Sequence, residues 1–317
     1  MVTLEDIRKA QAALPPAIRH TPLARADALS AQLGAPVRWK CENLQVTGSY
    51  KARASYWMIA ALPEERKRNG VAISSSGNFA SATAFAGSLQ GVRTFLVMME
   101  STSPFKVEKT RRYGGEVVTC PNNFEARWET LRRLEREGVT VIWTFEEPNV
   151  IAGHGTIGLE IVADLPAADL VLVPVSSGGL IAGVATAVKE LRPSARVIGV
   201  QPEGSNAMTV SWRRGEVTEI PEVKTIADAL IARYPGKLPF AHVRKHVDDM
   251  VLVSEAEIKQ AMIHLAEHGK LVAEAGGAVT TAALLSGKVD PAGGNTVALV
   301  SGGNVALETY ARILQGE

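Results

Sequence analysis

The chain predicts an α/β protein built as two doubly wound domains with mostly parallel sheets. Three observations carry this. Short apolar runs alternate with amphipathic segments of helix length along most of the 317 residues. That alternation marks parallel strands covered by helices on both faces. The length suffices for one large domain or two modest ones. The stretch from about Gly70 to Phe145 also holds four strand–helix units of its own. It predicts a small domain over 70–145, with 1–69 plus 146–317 forming a larger one. A crevice between two such domains is the usual place for a ligand.

The elements follow in order. Thr3 and Asp6 open "TLEDIRKAQAAL" with the residues of a helix capping box. "VAISS" reads as a strand leading into a helix from about Phe79, and "RTFLVMM" precedes a helix from about Pro104. "EVVTC" precedes the helix "NFEARWETLRRLERE", and the strand "VTVIWTF" comes after it. Later, "DLVLVPV" leads into "GLIAGVATAVKEL", "ARVIGVQ" into another helix, "DDMVLV" into "SEAEIKQAMIHLAEHG", and "TVALVSGG" into the last helix.

Composition narrows the function classes. Apolar residues make up 46% and charged residues 21%, and 34 basic residues face 33 acidic ones. No block of like charge points to nucleic acid or to an anionic membrane. Cys41 and Cys120 are the only cysteines, too few and too far apart for a disulfide framework or a zinc set. The N-terminus carries no apolar targeting segment and no run is long enough to cross a bilayer. A cytoplasmic protein is expected.

Two stretches share one pattern. "VAISSSGNFASATAFAGSLQ" and "VLVPVSSGGLIAGVATAVKEL" each run strand, Ser-Ser-Gly, then a small-residue helix. A loop of this kind at the C-terminal end of a parallel strand exposes backbone N–H groups, and the helix N-terminus adds partial positive charge. Both read as anion cradles, with Asn78 adding a side-chain amide to the first. A third loop, "VSGGN", places Ser301 at a strand end. Lys51 stands apart from all of these in "TGSYKARAS", where a loop becomes a helix among small residues. Burial there disfavours the ammonium form, and a neutral amine forms Schiff bases. An aldehyde cofactor with a phosphate tail and a pyridine nitrogen uses every part, a description that fits pyridoxal 5'-phosphate.

The sequence resembles the serine/threonine dehydratase and serine racemase family, fold-type II pyridoxal-phosphate enzymes with a tryptophan-synthase-β-like fold. "HTPLARADALS", "KCENLQVTGSYKARAS", "SSSGNFA", "PNVIAGHGTIGLEI", "VPVSSGGLIAG", "TIADAL", "VDDMVLVSEAEI" and "LVSGGN" fall in the family's order over nearly the whole chain. The resemblance implies a cofactor in the interdomain cleft, bound covalently by Lys51, which then acts as general base. It implies that Ser176, Ser177, Gly178, Gly179 and Leu180 hold the phosphate and that Asn78 bonds the phenolic oxygen. Ser301 would face the pyridine nitrogen, Tyr50 would pack beside the cofactor and Glu274 would lie near its ring. Ser75, Ser76, Gly77, Asn78 and Phe79 would bind the substrate carboxylate.

The implied activity is dehydration and deamination of a 3-hydroxy amino acid, such as L-threonine or L-serine, to a 2-oxo acid and ammonia. Racemisation is the alternative, because Ser76 occupies the position from which racemases deliver a proton opposite the lysine. Hydroxyaspartate and aryl-serines are open as substrates. The chain departs from the family's usual residues at Tyr50 for Phe, Phe79 for His, and two serines for the first two glycines of the phosphate loop. Gln201 and Ala207 stand where some members carry acids for a divalent cation, so no metal is expected. His264 and His268, one helical turn apart, read as surface or C-terminal capping residues rather than ligands. The chain leaves no room for the C-terminal regulatory domain of feedback-controlled members, and a homo-oligomer, dimer or tetramer, is expected.

Overall fold

The structure is a computed structural model that describes residues 1–316. Helix α1 (Leu4–Ala13) starts at Thr3, and Thr3 and Asp6 exchange side-chain-to-backbone bonds in a capping box. Strand β1 (Leu23–Arg25), α2 (Asp27–Leu33), β2 (Val37–Cys41), α3 (Lys51–Ala60) and α4 (Glu64–Lys67) follow. Then come β3 (Val71–Ser74), α5 (Asn78–Gln90), β4 (Thr94–Met99), α6 (Pro104–Arg112), β5 (Glu116–Cys120), α7 (Phe124–Arg136) and β6 (Thr140–Val141). The remainder runs α8 (Pro148–Asp164), β7 (Leu170–Pro174), α9 (Gly179–Leu191), β8 (Arg196–Pro202), α10 (Ala207–Arg214) and α11 (Lys237–His246). It closes with β9 (Asp249–Val253), α12 (Glu255–His264), α13 (Ala275–Leu285), β10 (Thr296–Val300) and α14 (Leu307–Leu314).

The strands form two sheets. One has six strands in the order β1-β2-β10-β7-β8-β9, the other four in the order β5-β4-β3-β6. Every pairing is parallel except that of β1 with β2. Crossover helices therefore cover the sheets, and the central strands β7 and β10 are buried at every residue. Helix α13, "AGGAVTTAALL", has no polar face because ten of its residues are buried.

Three local details go beyond or change the sequence reading. "VTVIWTF" contributes only Thr140–Val141 as strand. Ile142 still donates to Ala72, but the chain then leaves the sheet edge, and Thr144 and Phe145 turn to line a cavity. Strand β2, "VRWKC", escapes an apolar-run search because it carries Arg38 and Lys40, and Lys40 is fully buried. His264 does sit in the last turn of α12, but it is half-buried rather than on the surface. Its ring packs edge-on to Trp39, 6.1 Å between centroids, while His268 stays exposed.

A buried charge cluster ties the two flanks of the site together. Arg53 forks onto Glu42 through Nε and Nη2 at 2.9 and 2.8 Å, and onto Glu160 through Nη1 and Nη2 at 2.6 and 2.8 Å. Lys40 reaches Glu160 at 2.7 Å. Arg53 is held charged by the two carboxylates against the cost of burial. Glycines bring α8 close to its neighbours. A Cβ at Gly153 would strike the Ala54 backbone, and one at Gly158 would stand 2.8 Å from Ala187 and from the Val184 carbonyl.

Candidate active site

Lys51 is the first residue of α3. The preceding loop is fixed to the end of β10. Ser49 bridges Gly302 in antiparallel fashion, and the Tyr50 N–H donates to the Ser301 carbonyl at 3.1 Å. Gly48 permits the approach with φ +77°, and its side-chain position is taken by Asn304. Nζ of Lys51 lies 4.4 Å from the centroid of the Tyr50 ring and 4.8 Å from that of Phe79. Burial lowers its pKa to about 7, with the charge of Glu274 opposing. The site therefore holds a large fraction of free amine at neutral pH.

The loop after β7 supplies the cradle opposite. Gly178 caps α9 with φ +105° and no side-chain hydrogen bond. The amides of the first turn thus face outward without an internal acceptor. The positive φ strains any L side chain at Gly178, and a Cβ there would also stand 3.0 Å from Pro239 and press on the end of Met208, so glycine is favoured. Lys51, Tyr50, Phe79, Thr144, Phe145, Val150, His154 and Ser176–Leu180 line one narrow cavity of about 40 Å³.

The loop after β3 forms the other side. Gly77 caps α5, again without a side-chain bond. The Gly77 N–H donates to Ser75 Oγ at 3.3 Å, and Thr102 Oγ1 donates to Ser76 Oγ at 3.0 Å. Asn78 is engaged at both ends. Its Nδ2 donates to Glu274 at 2.7 Å, and its Oδ1 accepts from Asn304 at 2.7 Å. Lys109 of α6 donates to Asn304 and, at 3.1 Å, to the Thr47 carbonyl. Lys106 pairs with Asp228. Glu274 is raised to about 7, by burial first and then by the charge of Asp228. The Ser301 hydroxyl, nearly buried, donates to the Gly276 carbonyl at 3.3 Å.

The residues read from the sequence thus fall into three groups. Tyr50, Lys51, Phe79 and Ser176–Leu180 share the cavity. Asn78 and Glu274 are bonded to each other behind it, with Asn304 and Lys109 completing that network. Ser75, Ser76 and Gly77 form the turn into α5. Gln201 is buried, and its Oε1 accepts from the Thr209 N–H and hydroxyl at 2.8 Å. His154, Asn304 and Lys109 were not picked out by pattern. His154 gave one signal, a histidine between glycines in an otherwise apolar helix.

The sequence profile of the pyridoxal-phosphate-dependent enzymes matches residues 14–302. The chain belongs to that family. It is 42% identical to an L-threonine ammonia-lyase of Thermotoga maritima over 315 residues, 99% of this chain and 78% of that one. Its fold superposes on maize serine racemase with a TM-score of 0.94 and 34% identity, over 99% of this chain and 97% of that one. For a threonine deaminase of Solanum lycopersicum the TM-score is 0.91 at 33% identity, over 98% and 92%. The α/β fold with mostly parallel sheets is therefore that of fold-type II enzymes, and the cofactor is pyridoxal phosphate.

The groups that line the cavity suit that cofactor. The cavity joins an amine with a pKa of about 7 to a glycine cradle that no side chain caps. It also holds a buried histidine with neither ring nitrogen in a hydrogen bond of good geometry among the described residues. When bound, the cofactor supplies an electron sink for charge left on the substrate Cα. Among the described residues, no helix is long and apolar enough to cross a membrane.

Proposed function

We propose that this chain dehydrates and deaminates a 3-hydroxy amino acid, L-threonine first and L-serine second, to a 2-oxo acid and ammonia. One observation carries the chemistry: a lysine whose pKa burial lowers shares a cavity with an uncapped helix N-terminus. The similarity to L-threonine ammonia-lyases over 99% of the chain supports the substrate class.

In this reading Lys51 holds the cofactor and, once released, takes the proton from Cα. The amides at Ser176–Leu180 and the Ser177 hydroxyl receive the phosphate, and the amides of Ser75–Phe79 receive the substrate carboxylate. Asn78, now bonded to Glu274, would hold the cofactor's phenolic oxygen, and the Ser301 hydroxyl would serve its pyridine nitrogen. A hydroxyl does not hold a proton there as a carboxylate does, which favours loss of a β-leaving group over transamination. Phe79 and Phe145 exclude water as the β-hydroxyl departs. The division into 70–145 and 1–69 plus 146–317, a cytoplasmic location and a homo-oligomeric state belong to the same reading.

A second reading, racemisation, rests on Ser76. Thr102 donates to its oxygen, which leaves the Ser76 proton free to be given away. The test is a panel of L-threonine, L-serine, 3-hydroxyaspartate and aryl-serines, scored for 2-oxo acid and for D-isomers. Oxo-acid release fastest with L-threonine supports dehydration. D-isomers accumulating without oxo acid would overturn it in favour of racemisation.

A further inference from the structure

We propose that His154 is a side-chain donor to the cofactor's phosphate, a third arm of the cradle beside the α9 amides and the serine loop. The inference rests on the reading that this cavity takes pyridoxal phosphate.

His154 lies on α8 and is 1% exposed, yet neither Nδ1 nor Nε2 makes a hydrogen bond of good geometry among the described residues, and the Gly179 backbone offers it only a weak contact. Buried polar atoms are nearly always satisfied, so an imidazole with two poorly satisfied nitrogens implies a missing partner. The ring lines the cavity that also holds Lys51 and Ser176–Leu180. A Cβ built on Gly179 would stand 3.6 Å from Nδ1, so this nitrogen abuts the first residue of α9. Ring packing fixes its orientation, with centroids 4.8 Å from Tyr50 and 6.3 Å from Phe79.

Electrostatics agree with a donor role. Burial, and then the Lys51 charge, hold the ring neutral, while the Gly179 backbone offsets this in part and Arg53 adds to it from α3. A neutral imidazole offers one N–H and one acceptor nitrogen. An anion arriving at the α9 N-terminus meets the N–H. It also supplies the negative charge that makes such a bond stronger than one between neutral groups.

The test uses the full-length protein, with pyridoxal phosphate and pyridoxal, which lacks the phosphate, as paired probes. Binding is followed by the Lys51-dependent absorption band and by the bound phosphorus resonance. H154L is expected to bind pyridoxal phosphate about ten- to a hundredfold more weakly and pyridoxal about equally well. H154Q, which keeps a donor, should restore most of the affinity. Equal losses for both probes would mean that His154 only packs, and no loss for either would remove it from the site. In ¹⁵N-histidine-labelled wild type, the resonances absent from H154Q should shift with pyridoxal phosphate and not with pyridoxal. Failure to shift overturns the proposal even if H154L does not fold. Wild type that binds neither probe would overturn the parent reading as well.

Discussion

The N–H of Tyr50 donates to the carbonyl of Ser301 across 3.1 Å, so the residue before the lysine is pinned to the strand end that carries the serine hydroxyl. Two groups separated by 250 positions of chain are thereby set in one frame, and the Ser49–Gly302 bridge repeats the tie one residue away. Substrate chemistry at Lys51 should therefore be sensitive to the backbone of this joint as well as to its side chains.

Lys51→Ala is expected to abolish both the borohydride-reducible cofactor bond and turnover, while the fold persists because the change breaks ring contacts with Tyr50 and Phe79 but no side-chain hydrogen bond or ion pair among the described residues. Absorption spectra and oxo-acid release check this. A mutant that keeps a reducible bond and near-normal rates would show that another lysine is the anchor.

Glu274→Gln is expected to flatten the pH dependence of stability in cofactor-free protein. The Glu274 pKa is raised from 4.5 to about 7 by burial and Asp228. Its contribution is fully present below pH 4.5 and is lost as pH rises through about 7. Lys51 acts in a higher window. Its pKa falls from 10.5 to about 7, so its contribution is present above 10.5 and lost as pH falls towards 7. Thermal midpoints from pH 4 upward should decline in wild type relative to the variant, mainly below about pH 7. Parallel curves would show that the Glu274 pKa does not change on folding.

Ser76→Ala is expected to spare dehydration of L-threonine and to suppress any racemisation about a hundredfold, the usual cost of removing a proton-transferring group. Elimination needs the lysine face alone, whereas inversion needs a proton from the other side. Cα deuterium exchange, D-isomer and oxo acid followed in parallel separate the cases. An equal fall in all three would assign Ser76 to substrate holding.

Glu42→Gln is expected to destabilise the protein by about 3–5 kcal/mol, because it leaves one side of the buried Arg53 guanidinium without its countercharge. Denaturant titration measures this. A loss under about 1 kcal/mol, the range of exposed ion pairs, would mean that water reaches the cluster.

Much of this was legible in the sequence. The apolar runs located the central strands β7 and β10, and the Ser-Ser-Gly turns located both helix N-termini, because these features are local. What was not legible depends on segments far apart. Lys40 breaks the apolar pattern of β2 because its partner, Glu160, sits on α8. Asn304 and Lys109 meet only when α6 lies over the loop after β10. His154 looked ordinary because nothing in "AGHGT" reveals that both ring nitrogens will be buried without a hydrogen bond of good geometry.

The bare glycine faces of α8 have a mechanical meaning. Gly153 seats the helix that starts with Lys51, and Gly158 seats the helix that starts at the phosphate cradle, with backbones too close to slide. α8 is thus a datum rail to which nucleophile and cradle are both clamped, and it carries His154 between them. The distance from the amine to the loop after β7 is thereby set by the packing of one helix rather than by the loops themselves.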